Sequence, residues 1–111
     1  MSIQVAIVMG SASDWDVMSH CSKMLKDFDV SHEAKVLSAH RTPKELEAFI
    51  SQAEVDGVQV FIAGAGLAAA LPGVVAAQTT IPVIGVPLIA GSLDGMAVSY
   101  THLTLPTICS V

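Results

Sequence analysis

An imidazole and a guanidinium stand side by side at His40 and Arg41, within the stretch 37–43 where a predicted strand gives way to a predicted helix. An imidazole changes protonation state near neutral pH, so it can give or take a proton during a reaction. A guanidinium can bind phosphate or carboxylate through two parallel hydrogen bonds. We therefore predict an acid/base centre at His40 beside an anion-binding Arg41. The pair alone does not exclude a strand-ending histidine next to a solvated arginine.

A second stretch that could bind a ligand follows the first predicted strand, at positions 10–14, with the sequence Gly-Ser-Ala-Ser-Asp. The hydroxyls of Ser11 and Ser13 can donate hydrogen bonds, and the N-terminus of the helix that follows favours an anion. Asp14 would be free to accept a hydrogen bond from a sugar hydroxyl. The stretch predicts a site for phosphate or sugar phosphate. Alternatively, Ser13 only caps the helix in a capping box with Asp16, which leaves Ser11 unexplained.

The third stretch is glycine-rich, and its sequence at positions 64–69 fits the dinucleotide fingerprint G-x-G-x-x-A. That fingerprint requires an acidic residue about 20 residues later to bind the ribose. The first acid after the glycines is Asp94, which lies in the wrong place. We therefore interpret the glycines, Gly66 in particular, as a floor that lets a substrate approach the backbone closely.

Apolar runs that alternate with amphipathic stretches must position these loops. The predicted strands span Ile3–Met9, Val30–Leu37, Val58–Ala63 and Ile81–Val86. Helices are predicted after Ser13, after a second capping box formed by Thr42 and Glu45, and from near Pro72 to Gln78. This alternation predicts an α/β fold with a parallel sheet. The second strand has one polar face and should lie at a sheet edge, which suits the flavodoxin-like order 2-1-3-4.

The composition narrows the class of protein. A chain of 111 residues has room for one domain, and 52% hydrophobic residues with 14% charged residues make it unusually apolar. We expect the surplus apolar surface to lie in contacts of a homo-oligomer. The net charge of −5 argues against a nucleic-acid partner. Cys21 and Cys109 show no metal-ligand spacing, and the first residues lack the basic region of a signal peptide, so we expect a cytoplasmic protein without a metal.

One uncharged stretch, residues 60–77, reaches the length of a membrane-spanning helix. Gly64, Gly66, Pro72 and Gly73 interrupt it. A strand, a glycine turn and a helix explain these glycine and proline positions better than a membrane span does.

Several of these segments occur together in one known family. They are Val-Ala-Ile-Val-Met-Gly-Ser-Ala-Ser-Asp-Trp at 5–15, Ser-Ala-His-Arg-Thr-Pro at 38–43, Ala-Gly-Ala-Gly at 63–66 and Leu-Pro-Gly at 71–73. With these motifs in this order, the sequence resembles the N5-carboxyaminoimidazole ribonucleotide mutases, the class I phosphoribosylaminoimidazole carboxylase catalytic subunits. The resemblance runs from about Val5 to about Gly95.

The resemblance implies a flavodoxin-like three-layer α/β/α sandwich, a homo-octamer and a step of de novo purine (IMP) biosynthesis. Enzymes of the family move a carboxyl group from N5 of the substrate to C4 of its imidazole ring, with neither metal nor organic cofactor. Carried over to this chain, Ser11 and Asp14 would bind the ribose-phosphate end of the substrate and Arg41 its phosphate. His40 would shuttle the proton. The resemblance does not separate the mutase from the related carboxylase that uses free CO2.

The chain departs from the family pattern in two places. Ala70 stands where the family commonly has histidine, so any help from a second imidazole is absent. The likeness also fades after Gly95, and we expect a truncated mutase-like domain at residues 1–98 followed by a tail, residues 99–111, that does not resemble the family. An inactive fragment is one alternative. The others are a flavodoxin-like carrier of flavin mononucleotide and a phosphate-binding regulatory domain without catalysis.

Overall fold

The architecture is an alternation of strands and helices, seen in a computed structural model that describes residues 3–66 and 70–88. The predicted tail at 99–111 and the domain boundary at 98 lie outside these residues. All four predicted strands and all three predicted helices are present. In chain order they are β1 (Val5–Met9), α1 (Trp15–Asp27), β2 (His32–Val36), α2 (Pro43–Asp56), β3 (Val60–Ala65), α3 (Ala70–Gln78) and β4 (Val83–Pro87), with a short 3-10 turn (Ala12–Asp14) before α1.

The four strands form one sheet in the order β2-β1-β3-β4, and every neighbouring pair is parallel. This is the predicted flavodoxin-like order. Every residue of β1 is buried, as its continuous apolar run predicts for a central strand. Strand β2 lies at an edge and is half-buried to exposed throughout, which confirms the interpretation of its polar face.

The helices cover both faces of the sheet, so the fold is the predicted three-layer sandwich. Helix α1 packs on one face, where its buried residues are Met18, Cys21 and Leu25. Helices α2 and α3 pack on the other face, and their buried residues are Leu46, Ile50, Ala53, Leu71 and Val75. Right-handed crossover connections between parallel strands produce this arrangement. The carboxyl ends of all four strands therefore meet at one edge.

Helices α1 and α2 end in the same way. The backbone N–H of Val30 donates to Leu25 O at 2.8 Å, and that of Val58 donates to Ala53 O at 3.0 Å. The residue before each donor has a left-handed backbone, with φ 58° at Asp29 and 84° at Gly57. The predicted stop of α2 at Gly57 is confirmed. Because Val58 takes part in this stop, β3 begins later than predicted.

Both predicted capping boxes are wrong. Helix α1 has no side-chain cap, and the capping box forms two residues earlier, between Ser11 and Asp14 around the 3-10 turn. Thr42 does occupy the N-cap of α2, with Pro43 directly after it as predicted, but its hydroxyl makes no capping hydrogen bond. The hydroxyls are used in the loops instead.

The apolar stretch at 60–77 divides between β3, which ends at Ala65, and α3, which begins at Ala70. Helix α3 begins at Ala70 rather than near Pro72, because proline is tolerated in the first turn of a helix. Among the described residues, no helix has both the length and the apolar character needed to cross a membrane.

Gly64 lets helix α1 approach β3 closely. A Cβ atom built at Gly64 would lie 2.8 Å from Met18 Sδ and 3.0 Å from Leu88 Cδ1, both shorter than ordinary van der Waals contacts. Gly64 is also directly opposite Met9 in the sheet register. This glycine serves helix–sheet packing, so it is not part of the predicted substrate floor.

We expect Gly64→Ala to lower the free energy of unfolding by about 1–3 kcal/mol, because the added methyl group overpacks the contact with Met18. Chemical denaturation followed by circular dichroism measures the change. Gly73→Ala is the matched control: its Cβ would meet no atom within 4 Å, and alanine favours a helix interior. Equal stability of wild type and Gly64→Ala would contradict the packing role.

Candidate active site

The candidate site lies at the carboxyl edge of the sheet, where the register places three strand ends side by side. Met9 of β1 is opposite Val36 of β2 on one side and Gly64 of β3 on the other. The N–H of Leu37 donates to Met9 O at 2.8 Å, which extends the ladder one residue beyond β2. The loops after β1, β2 and β3 therefore leave the sheet from adjacent positions, as predicted.

The first loop is held by hydrogen bonds among Ser11, Ser13 and Asp14. Asp14 Oδ2 accepts from the Ser11 N–H at 3.2 Å, and the Asp14 N–H donates to Ser11 O at 3.0 Å. Ser11 Oγ accepts from the Ser13 N–H at 3.3 Å and lies 2.9 Å from Ser13 Oγ. The structure thus brings together the three first-loop residues that the sequence singled out.

This network changes what the first loop offers to a ligand. The Asp14 carboxylate already accepts one backbone N–H, that of Ser11. A carboxylate accepts through two oxygens, which leaves capacity for a sugar hydroxyl. The same carboxylate places negative charge near the start of α1, where an anion was predicted. The loop is consequently better suited to hydroxyl groups than to a phosphate held by backbone N–H groups.

The second loop is held by Ser38 and Thr42. Ser38 Oγ accepts from the N–H groups of His40 at 3.2 Å and Arg41 at 3.1 Å. Thr42 Oγ1 accepts from the Ser38 N–H at 2.9 Å and donates to Ser38 O at 3.2 Å, and the Thr42 N–H also donates to Ser38 O at 3.0 Å. These bonds fix a tight turn whose tip is His40 and Arg41.

Buried neighbours anchor this turn while its tip faces solvent. Leu37 is buried, and the half-buried Ala39 packs against the core under α2. The side chains of His40 and Arg41 are exposed, and neither donates or accepts a side-chain hydrogen bond within the described residues. Both side chains are available to a ligand at the carboxyl edge.

The third loop begins at Gly66, directly after β3. Gly66 is exposed, and a Cβ atom built on it would meet no atom of the described residues within 4 Å. The described part of the fold has room for a side chain here, in contrast to Gly64. Ala70 follows as the first residue of α3 and is half-buried. Gly66 thus lies at the carboxyl end of β3, on the same edge of the sheet as the first two loops.

The sequence prediction gave no role to Ser38 and only a helix-capping role to Thr42, yet these two residues shape the loop that carries His40. A serine whose hydroxyl bonds the N–H groups two and three residues later is a common turn motif. The spacing of a serine, three loop residues and a following threonine before a proline could have indicated it. Within residues 3–66 and 70–88, no cluster of three His, Cys, Asp or Glu side chains could hold a metal ion.

A scan of family models matches residues 4–111 to AIR carboxylase. The chain belongs to the AIR carboxylase family. N5-carboxyaminoimidazole ribonucleotide mutases are among its relatives. That of Vibrio cholerae is 50% identical over 102 residues, which cover 92% of this chain and 63% of the relative. That of Pyrococcus abyssi is 55% identical over 93 residues, covering 84% and 53%. That of Escherichia coli is 48% identical over 103 residues, covering 93% and 61%.

The chain spans 53–63% of the length of these curated relatives. Solved structures agree with the fold. Treponema denticola PurE has a TM-score of 0.77 and 28% identity, with 96% of this chain and 68% of that chain covered. A PurE2 variant of the same organism has a TM-score of 0.78 and 27% identity, with 99% and 69% covered. The flavodoxin-like α/β fold predicted for this AIR carboxylase family member is confirmed.

We expect Ser38→Ala to release the His40–Arg41 turn, because two backbone N–H groups lose their acceptor. The free energy of unfolding should fall by about 1 kcal/mol, as for the loss of a helix cap. Amide hydrogen exchange at His40 and Arg41 should accelerate more than exchange in β1. Ser51→Ala, at an exposed position of α2, is the control and should leave both quantities near wild type. Unchanged amide exchange at His40 would contradict the role of Ser38 in holding this turn.

Proposed function

We propose that this chain carries the active-site loops of an N5-carboxyaminoimidazole ribonucleotide mutase, an isomerase of de novo purine (IMP) biosynthesis. The reaction moves a carboxyl group from N5 of the substrate to C4 of the imidazole ring. The observation that carries the proposal is the exposed His40–Arg41 tip, held by Ser38 beside the first loop, in a member of the AIR carboxylase family.

His40 is the proposed general acid and base. As the N5–carboxylate bond breaks, the imidazolium gives its proton to N5 and CO2 is released beside the ring. C4 then attacks CO2, and the neutral imidazole takes the proton that C4 loses. One proton is given and one is returned, so the enzyme ends in its starting state. The exposed imidazole, free of side-chain hydrogen bonds within the described residues, supports this role.

Arg41 is proposed to bind the substrate's phosphate, and Ser11, Ser13 and Asp14 its ribose-phosphate end. Arg41 offers a forked set of donors that matches a phosphate. The carboxylate of Asp14 sits near the start of α1 and would repel a phosphate at that point, so it suits the ribose hydroxyls. The phosphate is then better placed toward Arg41. In this arrangement Arg41 binds the charged phosphate, and the first loop binds the ribose hydroxyls at a different point of the carboxyl edge.

The proposed reaction uses neither metal nor organic cofactor. Its difficulty is to keep CO2 next to C4 until the new bond forms, and a pocket that holds both in place supplies much of the rate by proximity. A homo-octamer, proposed from the family resemblance, would close such a pocket between subunits. Large exposed side chains support association: Phe28 is 74% exposed and Val55 81% exposed. We place the enzyme in the cytoplasm.

The direct test incubates the purified chain with N5-carboxyaminoimidazole ribonucleotide and follows formation of the C4-carboxylated product by its absorbance. The mutase predicts product without added bicarbonate. Product from the decarboxylated ribonucleotide and CO2 alone would instead indicate the related carboxylase. Tight binding of flavin mononucleotide, seen as a yellow protein, would indicate the carrier. Binding of ribonucleotide without turnover would indicate a phosphate-binding domain or an inactive fragment.

We expect His40→Asn to abolish turnover while the ribonucleotide still binds, because asparagine keeps a polar side chain but transfers no proton. A loss of at least about 100-fold in kcat is the usual scale for a general acid/base. Steady-state kinetics measures kcat, and isothermal titration calorimetry measures binding. His20→Asn, an exposed position on α1, serves as the control with wild-type kcat. Comparable turnover by His40→Asn and His20→Asn would exclude His40 as the proton carrier.

We expect Gly66→Ala to fold normally but to raise KM, because the new methyl group would occupy space that the substrate approaches. The described part of the fold has room for this group, since no atom of residues 3–66 and 70–88 lies within 4 Å of the added Cβ. Thermal unfolding should show an unchanged midpoint, while kinetics should show KM raised several-fold, about the effect of one displaced contact. A wild-type KM would remove Gly66 from the substrate-binding residues.

A further inference from the structure

The outer edge of β2 is a surface that the proposed reaction does not use. Within the described residues, no strand lies on the outer side of β2. Ser31 O accepts from the N–H groups of Gln4 and Val5, and the Leu37 N–H donates to Met9 O, so odd-numbered residues here turn their backbone groups toward β1. The N–H and C=O groups of the alternate residues therefore point outward. They belong to His32, Ala34 and Val36.

Two exposed side chains of opposite charge stand on this edge. Glu33 and Lys35 flank Ala34, and both are exposed. They project to the face of the sheet that α2 covers, because both border the same cavity of about 280 Å³ beside Phe49. Charged residues on an edge strand usually discourage pairing with other strands. Because Glu33 and Lys35 differ in sign, they disfavour some registers of a second strand against β2 and favour one.

We propose that β2 pairs antiparallel with β2 of a second copy of this chain, about a two-fold axis at Ala34, to form a continuous eight-stranded sheet from two four-stranded ones. Ala34 then faces its own copy as a hydrogen-bonded pair, and His32 bonds with the partner's Val36. Glu33 lies opposite the partner's Lys35 in a non-hydrogen-bonded pair, where facing side chains are closest. The two-fold axis repeats this ion pair.

The charges select this register over its neighbours. A ladder can form only in registers that place residues with outward-pointing N–H and C=O groups opposite one another. A shift toward the start of β2 would set Glu33 opposite its own copy, and a shift toward the end would do the same with Lys35. Like charges directly opposite each other destabilise a strand pair. The register about Ala34 alone gives two opposite-charge pairs.

The side chains of β2 on the face that α1 covers are also compatible with this pairing. Ala34 is small, so it does not obstruct the approach of a second strand. The His32 ring is held back over its own helix, with Nε2 at 2.7 Å from Ser22 Oγ and Nδ1 at 2.9 Å from Val30 O. Near the end of β2, Val36 is 48% exposed and Trp15 41% exposed beside a cavity of about 350 Å³. The start of the partner's β2 would cover this apolar surface.

Charge reversal tests the register. In Glu33→Lys every cross-strand pair becomes lysine against lysine, and in Lys35→Glu every pair becomes glutamate against glutamate. We expect each variant to sediment at half the wild-type mass or less. An equimolar mixture restores both opposite-charge pairs in the mixed assembly, and so does the double variant Glu33→Lys/Lys35→Glu. Both should return to the wild-type mass.

The controls separate the interface from general charge and from folding. Glu47→Lys and Lys23→Glu make the same charge changes at exposed helix positions and should keep the wild-type mass. Ala34→Pro removes an outward N–H without touching the ladder to β1, so it should also lower the mass while circular dichroism stays native. Wild-type mass in both single reversals, or a mixture that stays small, would overturn the proposal. Neither outcome bears on the mutase assay, which tests different residues.

Discussion

The carboxyl end of β1 is the point on which the site depends. Met9 is paired on both sides, and the Leu37 N–H extends one of these pairings past the end of β2. Two loops therefore start from positions fixed by backbone hydrogen bonds in the most buried part of the sheet. Gly64 completes the arrangement, because its missing side chain lets α1 settle against β3 at the same level. This packing positions the side chains at the carboxyl edge of the sheet.

Polar side chains hold two loops of the candidate site in defined turns. The first loop is closed by a carboxylate and two hydroxyls, and the second by a serine and a threonine. In each, polar side chains satisfy backbone groups that would otherwise require water. The exposed His40 and Arg41 are left to meet a ligand. Recognition of the proposed sugar-phosphate substrate by such loops would cost little ordering of the protein, because the turns exist before a ligand arrives.

The elements and their order could be predicted because they follow from the hydrophobic pattern. The unbroken apolar run of β1 indicates a central strand, and the alternation in β2 indicates an edge. The details at the loops could not. A serine or threonine just before a helix can cap it or close the loop in front of it. The sequence predicts capping hydrogen bonds from Ser13 and Thr42, whose hydroxyls bond within the loops instead. Which bond forms depends on backbone geometry that residue types alone do not specify.

The amino edge of the sheet is built differently from the site. There α1 and α2 both turn into strands through backbone hydrogen bonds to Leu25 and Ala53, with left-handed Asp29 and Gly57 as the pivots. These turns require a left-handed backbone at one position each, which favours glycine or a short polar residue there. The amino edge is therefore fixed by backbone conformation, whereas the loops at the carboxyl edge are fixed by side-chain hydroxyls and a carboxylate.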